Sequence, residues 1–226
     1  MRKVFKFMLV AAVASLAFVS CKKDNPNKEK EKEEQKEEQK EEEQKEEEEV
    51  KLAIDGKFGE WAAIAPVEGD GAILLTKAQA DDKKLYFYVE IDAALMVNEK
   101  FAYTDYLHLY LDCGGEGTSG SVTYWGGENG SLYDALYEIW LMLNGVPGTP
   151  GWDSNLTAKA KIEDGVYKSE FSILRSANDL FVSKTIWYGM TLTDTFCDTS
   201  SGSEEWGGGE VVGMAPAEGG DMAKVK

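Results

Sequence analysis

From residue 51 onwards, apolar and polar residues alternate in short segments that are separated by Gly, Asn and Asp. In the segment Tyr106–Asp112, every second residue is a leucine, and the residues between them are aromatic, acidic or histidine. A period of two residues is typical of a β-strand that buries one of its faces. The predicted strands are 85–91, 106–112, 137–143, 156–162, 167–173 and 186–192, with 73–76 and 121–125 as shorter candidates.

These segments predict an all-β domain with very little helix. The one helical stretch that we expect is a turn around Ser176–Leu180. The chain has 226 residues, and the part after residue 50 has the size of one ordinary domain. This number of strands in one domain favours a sandwich of two antiparallel sheets.

The first 20 residues have the pattern of a secretory signal peptide. Three basic residues precede or border the apolar run Phe7–Val19, which is shorter than the ~20 residues that cross a bilayer. The run ends in Ser20-Cys21, and this ending resembles the lipobox of bacterial lipoproteins. The resemblance implies cleavage before Cys21 and lipidation of that cysteine. A plain signal peptide with an unmodified cysteine is the alternative.

The residues after Cys21 bear on the location of the protein. In lipoproteins of Gram-negative bacteria, an Asp directly after the cysteine signals retention in the inner membrane, whereas this chain has Lys22. The run Lys22–Asn25 also partly resembles a surface-export signal. The resemblance therefore implies a lipid-anchored protein of the outer membrane that faces the cell exterior, with the lipid as its only membrane attachment.

A low-complexity segment of Lys, Glu and Gln follows, without an apolar residue between Pro26 and Glu49. Such a segment cannot form a core. Like charges recur at four-residue spacing and weaken a helix, so we expect a fluctuating helix that acts as a spacer. The predicted parts of the chain are a signal peptide (1–20), the lipidated cysteine and tether (21–50), a β-sandwich (51–212) and a flexible tail (213–226).

The formal net charge of the chain is −17. Binding to nucleic acid requires a basic surface that contacts the phosphate backbone, so this charge argues against a nucleic-acid-binding protein. It also argues against broad adsorption to an anionic membrane surface.

Five segments of the predicted sandwich occur in an order that points to a known family. Ile54–Trp61 reads I-D-G-K-F-G-E-W and closely resembles the opening motif of carbohydrate-binding module family 9-like (DOMON-like) domains. Four later segments resemble the strands of that family in their order: Asp81–Val89, Asp105–Asp112, Gly165–Ser176 and Ile186–Asp194. The resemblance implies a jelly-roll-like β-sandwich that binds poly- or oligosaccharide and performs no catalysis.

The alternation also predicts an unusual outer surface. It places Tyr86, Tyr88, Tyr106, His108, Tyr110 and Trp140 on the faces opposite the core, where polar residues are usual. These aromatic residues are explained by a covering loop that makes a second small core, by a docked protein, or by a platform on which sugar rings stack. In the sugar platform, Glu138 and Asp112 would accept hydroxyl hydrogen bonds. The predicted ligand-binding residues are Trp140, Tyr110, Tyr106, His108, Trp125, Trp187 and Trp206, with Trp140 and Tyr110 first.

Catalytic chemistry is poorly supported by the sequence. The chain has one histidine, His108, which we expect to be a packed or half-exposed strand residue rather than a general base. A haem-ligand role for it is equally unfavoured, and a zinc site built from several histidines is excluded by count. The candidate carboxylates for a glycosidase pair are Glu138, Glu170, Asp112 and Asp194.

Two further sites depend on strand ends that meet in space. Asp112 and Asp194 each end a predicted strand, and together they would offer the oxygen ligands that Ca²⁺ prefers. The alternative is that each acid caps a turn. Cys113 and Cys197 remain as thiols if Cys21 is lipidated; in an exported protein they either form a disulfide or stay as free buried thiols.

The sequence leaves three classes of function in order. The first is a surface lipoprotein that binds carbohydrate without catalysis. The second is a protein-interaction module, such as an accessory subunit of an outer-membrane uptake complex or an adhesin. The last is a glycoside hydrolase. A concave aromatic groove favours sugar, a flat apolar patch favours a protein partner, and two facing carboxylates favour the enzyme.

Overall fold

The computed structural model describes residues 51–113, 133–148, 154–182, 185–217 and 222–226. These residues all belong to one unit that begins at residue 50. The predicted signal peptide, Cys21, the tether, the strand at 121–125 and Trp125 lie outside the described residues. Among the described residues, no helix has the length and apolar character that crossing a bilayer requires.

The described part of the chain forms thirteen strands and several short 3₁₀ helices. The strands are β1 (Val67–Glu68), β2 (Asp70–Gly71), β3 (Ile73–Ala80), β4 (Lys84–Asp92), β5 (Tyr103–Cys113), β6 (Ala135–Leu143), β7 (Val146–Pro147), β8 (Leu156–Glu163), β9 (Val166–Leu174), β10 (Ile186–Asp198), β11 (Glu205–Gly207), β12 (Val211–Ala215) and β13 (Ala223–Lys224). The 3₁₀ helices are Phe58–Ala63, Ala93–Leu95, Arg175–Ala177 and Asp179–Val182.

The strands form two antiparallel sheets. The smaller sheet has the order β1-β3-β4-β9-β8, and the larger has the order β2-β12-β10-β5-β6-β7. The short strands β11 and β13 also pair with β10. The predicted all-β, two-sheet antiparallel sandwich is therefore confirmed.

The inner faces of the two sheets form the main core. Alternation alone predicted eight of its residues, and all eight have no exposed surface. They are Leu85, Phe87, Val89, Leu107, Leu109, Leu111, Ile139 and Leu141. Because successive side chains of a strand point to opposite faces, the same register turns their neighbours outward.

The outer face of the smaller sheet is covered by the segment Leu52–Ile64, which we call the strap. Trp61 of the strap stacks on Tyr88 of β4, with 5.4 Å between ring centroids. Tyr86 and Tyr88 are both buried in this second cluster, together with Leu52 and Ile64 of the strap. For these two tyrosines, the prediction of a covering segment is the correct one.

Glu170 of β9 fastens the strap to the sheet. Its carboxylate has no exposed surface, and it accepts hydrogen bonds from the backbone N–H groups of Asp55 (2.7 Å) and Gly56 (2.6 Å). The indole N–H of Trp61 donates to its other oxygen at 2.9 Å. A buried carboxylate is tolerated only when it is hydrogen-bonded in this way. Gly56 has a φ of +83°, which favours glycine at this turn of the strap.

The end of the described chain is part of the sheet rather than a flexible tail. Residues 213–215 belong to β12, and β13 pairs with β10 so that Lys224 lies opposite Trp187. Met222 and Val225 are buried. The prediction of a flexible tail from residue 213 is wrong for these residues, because two apolar side chains anchor a stretch that is otherwise small and polar.

We expect Glu170→Gln to lower the free energy of unfolding by about 1–3 kcal/mol. Glutamine replaces one acceptor oxygen with an amide donor, so at least one buried N–H of the strap loses its partner. Urea unfolding of the full chain measures the change. Glu163→Gln, at an exposed carboxylate on β8 of the same sheet, is the matched control and should change stability by less than about 0.5 kcal/mol. Equal stability of the two variants would contradict this role of Glu170.

Candidate functional site

The outer face of the larger sheet carries most of the predicted site residues in adjacent rows. Across β5, β6 and β10, Tyr106 lies between Trp140 and Thr193. His108 occupies the next outward position of β5 and pairs with Glu138. Residues directly opposite on antiparallel strands have side chains close enough to contact. The register therefore brings together an aromatic row and a polar row.

The aromatic row is a stack of three rings. Tyr106 stacks on Trp140 with 4.2 Å between centroids and an interplanar angle of 20°. Trp206 of β11 lies 5.7 Å from Trp140. Trp140 is only 4% exposed, whereas Trp206 is 57% exposed. Trp206 is therefore the accessible member of the stack, and Trp140 lies beneath it.

This stack borders a cleft of about 1030 Å³. A cavity of this size is at the upper end of the range that small-molecule sites occupy. The cleft runs from the outer face of the larger sheet to the β6 edge and reaches Leu156 at the start of β8. Its lining residues are Tyr106, His108, Asp134, Ala135, Leu136, Tyr137, Glu138, Trp140, Leu156, Asn178, Thr193, Thr195, Trp206 and Gly209.

Glu138 is the main polar group beside the stack. Its side chain is 52% exposed and lies 3.6 Å from Nε2 of His108. Burial, with a hydrogen bond to Glu138, raises the pKa of Tyr106, so the tyrosine hydroxyl donates to the carboxylate. Burial lowers the pKa of His108 against the attraction of Glu138, which favours the neutral imidazole. The site thus holds a negative charge without a compensating cation on the histidine.

The turn after Trp206 is held by Asp194. One oxygen of this carboxylate accepts the backbone N–H groups of Gly209 at 2.7 Å and Glu210 at 2.9 Å. A side chain on Gly207 would collide with the ring of Phe196, so glycine is required for the backbone to approach that closely. These contacts fix the position of Trp206 over the sheet.

The predicted Ca²⁺ pair is not formed. Asp112 lies opposite Trp187, while Asp194 follows Thr193 near the other end of β10. Seven residues of strand separate Trp187 from Asp194, which corresponds to about 23 Å. The turn-capping alternative is correct for Asp194. Within the described ranges, no group of three or more His, Cys, Asp or Glu residues could hold a metal ion.

The predicted disulfide is also wrong. Cys113 pairs with Ile186 and Cys197 pairs with Tyr103, at opposite ends of the β5–β10 ladder. Ten residues of extended strand separate these ends by about 33 Å, and a disulfide needs Cα atoms within about 7 Å. Both thiols are free, as the alternative expected. Burial raises the pKa of the Cys113 thiol to about 11.

Two predicted ligand residues lie away from the cleft. Trp187 and Tyr110 pack around the buried Met222, together with Met214. The ring of Tyr110 also lies 5.1 Å from Tyr133 in an edge-on arrangement. These two aromatic residues therefore belong to a small apolar cluster on the outer face, and neither lines the cleft.

Other lining residues were not found from the sequence. Asp134 precedes β6, and Thr193 and Thr195 lie beyond Leu192, where the predicted last strand ended. Extending the alternation of β10 past that point would have placed Thr193 on the same face as Thr191. Nothing in the local sequence marks Asp134, because its position depends on the pairing of β6 with β5.

The carboxylates considered for glycoside hydrolysis do not face one another. Glu138 lies on the outer face of the larger sheet, whereas Glu170 is buried beneath the strap on the smaller one. The two acids that line the cleft, Asp134 and Glu138, are four residues apart along β6, about 13 Å. A glycosidase pair needs a separation of ~5–10 Å. His108 lies between the rings of Tyr106 and Tyr110, at 4.6 and 6.0 Å, so its prediction as a packed strand residue is confirmed.

Comparison with protein-family models and with curated proteins finds no match to this chain. Among solved structures, the chain is similar to a carbohydrate-binding module of family 9 from Caldicellulosiruptor kristjanssonii, in complexes with cellotriose and with glucose. In both cases the identity is 14%, the TM-score is 0.44 and the match covers 78% of this chain. It covers 89% of the cellotriose complex and 91% of the glucose complex.

We expect Trp140→Ala and Trp206→Ala to differ strongly in stability, although both remove an indole from one stack. Trp140 is buried, so its removal leaves a cavity and should cost about 3–5 kcal/mol. Trp206 is largely exposed, so its removal should cost less than about 1 kcal/mol. Urea unfolding of the two variants measures the difference. Similar losses would show that Trp140 does not support the outer face.

Proposed function

We propose that the protein binds carbohydrate in this cleft and does not convert it chemically. One observation supports this proposal above the others: the exposed indole of Trp206 lies over the buried Trp140–Tyr106 stack, beside the exposed carboxylate of Glu138. The order of family 9-like motifs along the sequence supports the same function. The wide spacing of the cleft carboxylates argues against hydrolysis.

The physical basis of binding would be stacking combined with hydrogen bonding. The C–H face of a sugar ring can pack on the indole of Trp206, and a rigid aromatic ring loses little conformational entropy on binding. Trp140 and Tyr106 hold that indole from below. Glu138 offers acceptor oxygens for sugar hydroxyl groups, and the hydroxyl of Thr195 lies on the opposite side of the row, hydrogen-bonded to Thr193 at 2.8 Å. Convergent polar groups around an apolar wall are typical of small-ligand sites.

We further propose that the domain is held at the outer membrane by a lipid on Cys21, with residues 22–50 as the spacer. The lipobox-like ending of the first 20 residues and Lys22 support this location. A single acyl chain binds membranes only weakly and reversibly, so the anchor would need more than one chain. The binding domain would then face the cell exterior, where polysaccharide is encountered.

We expect Trp206→Ala to abolish retention of the full chain in affinity gels that contain polysaccharide, because the variant loses the stacking surface. Trp206→Phe keeps an aromatic face and should retain most of the binding. Leu74→Ala, at an exposed apolar residue of the other sheet, is the control and should migrate like the wild type. Undiminished retention of Trp206→Ala would place the sugar elsewhere and contradict the proposal.

We expect Cys21→Ala to move the protein from the membrane fraction to the soluble fraction or to leave the signal uncleaved. Fractionation of expressing cells and mass spectrometry of the N-terminus measure both outcomes. Cys113→Ala removes a different thiol and should leave the location unchanged. A Cys21→Ala variant that remains with the outer membrane would refute the lipid anchor.

A further inference from the structure

The charges of the domain are divided between its two sheets. β5, residues 133–148 and residues 185–217 build the cleft side of the larger sheet, and they contain nine acidic residues and no Lys or Arg. The smaller sheet carries lysines on β3, β4, β8 and β9. Some of its acids are neutralised by them, as where Lys161 and Lys168 both contact Glu163. The field on the cleft side is therefore negative without local compensation.

The lining of the cleft repeats this asymmetry at short range. Its described residues include the carboxylates Glu138 and Asp134 and no Lys or Arg. One oxygen of Asp134 accepts the backbone N–H of Cys113 at 2.8 Å. Glu138 projects half-exposed beside the aromatic stack, and the neighbouring His108 is half-buried and neutral. The nearest lysine of the same sheet described by register, Lys224, lies opposite Trp187 at the far end of β10.

We propose that the cleft selects sugars by charge: it binds oligosaccharides with free amino groups more tightly than neutral ones and excludes sugars that carry carboxylate or sulfate groups. This inference rests on the proposed function and specifies its ligand class. The ammonium group of an amino sugar stacked on Trp206 would lie near the Glu138 carboxylate and the faces of the tryptophan and tyrosine rings. A carboxylate and an aromatic face both attract a cation, and the attraction grows as water is excluded.

The same chemistry would repel an acidic glycan. A uronic acid or sulfate placed at the stack would meet Glu138 and Asp134 without a cation in the described lining to pair with. Like charges at this distance destabilise a complex, and the effect extends over a Debye length of about 8 Å at physiological salt. Discrimination against acidic sugars therefore requires no contact beyond those already described.

Titration calorimetry with the full chain tests the selection, with four ligands of equal length at a pH at which the amine is protonated. The ligands are oligomers of glucosamine, of N-acetylglucosamine, of glucose and of glucuronic acid. We expect the glucosamine oligomer to bind about tenfold more tightly than its N-acetylated counterpart, and the glucuronic acid oligomer not to bind. Raising the salt concentration should reduce this preference, because a partly exposed charge pair is screened.

Two variants locate the preference. Glu138→Gln should bring the ratio of the glucosamine and N-acetylglucosamine affinities close to one, and Asp134→Asn should reduce it in part while keeping the acceptor for Cys113. Glu163→Gln, on the other sheet, should leave the ratio unchanged. A ratio near one in the wild type, or binding of glucuronic acid, would overturn the charge selection while leaving carbohydrate binding intact.

Three further results would each overturn the charge selection in a different way. Absence of binding to all four oligomers would overturn both the proposed function and the selection. Glucosamine binding that survives Trp206→Ala would show adsorption to an acidic surface instead of a sugar site. Oligolysine that binds as tightly as the glucosamine oligomer, with the same dependence on Glu138 and Trp206, would identify a basic polypeptide as the ligand and overturn the assignment to sugar.

Discussion

The antiparallel pairing of β5 with β10 fixes where almost every candidate residue of this protein lies. The pairing extends from Tyr103 opposite Cys197 to Cys113 opposite Ile186. It separates the two cysteines and places Asp112 and Asp194 far apart. The free edge of β10 then receives β11, β12 and β13 in turn. Because β11 pairs near the end of β10, Trp206 is carried over the outer face beside Trp140.

The two outer faces of the sandwich resolve the same physical problem in different ways. Both carry aromatic residues where water would otherwise be in contact. On the smaller sheet, the strap covers Tyr86 and Tyr88 completely, and the buried carboxylate of Glu170 satisfies the polar groups of the strap. On the larger sheet, the covering is partial: Met222 packs on one end of the face, and a cleft remains at the other. A ligand site exists only where the cover is incomplete.

Much of the fold could be predicted from the sequence, because burial of one strand face imposes a period of two that is visible without knowledge of partners. The same rule predicted that Tyr106, His108 and Trp140 share an outer face, and the register confirms this. Whether an outward residue is exposed depends on what covers it, which is a property of distant segments. Trp140 is for this reason buried, although its position in the alternation is an outward one.

Contacts between distant strand ends were beyond local pattern. The hypotheses for Asp112 with Asp194 and for Cys113 with Cys197 assumed that similar strand ends lie together, whereas antiparallel pairing puts them at opposite ends. The acids that open and close the motif Asp105–Asp112 are both buried. Asp105 accepts the backbone N–H of Val97 at 2.9 Å, so its part in the motif is to hold a connection.

The strap has a mechanical consequence. Tension applied along the chain from its N-terminal side enters the sandwich at Leu52–Ile64, before it reaches a strand of either sheet. The first contacts to resist it are the hydrogen bonds of Asp55, Gly56 and Trp61 to one carboxylate on β9, a strand paired on both edges. The strap is thus a strain relief: it can peel from the smaller sheet under load while the opposite face, with Trp206 and its cleft, keeps its shape.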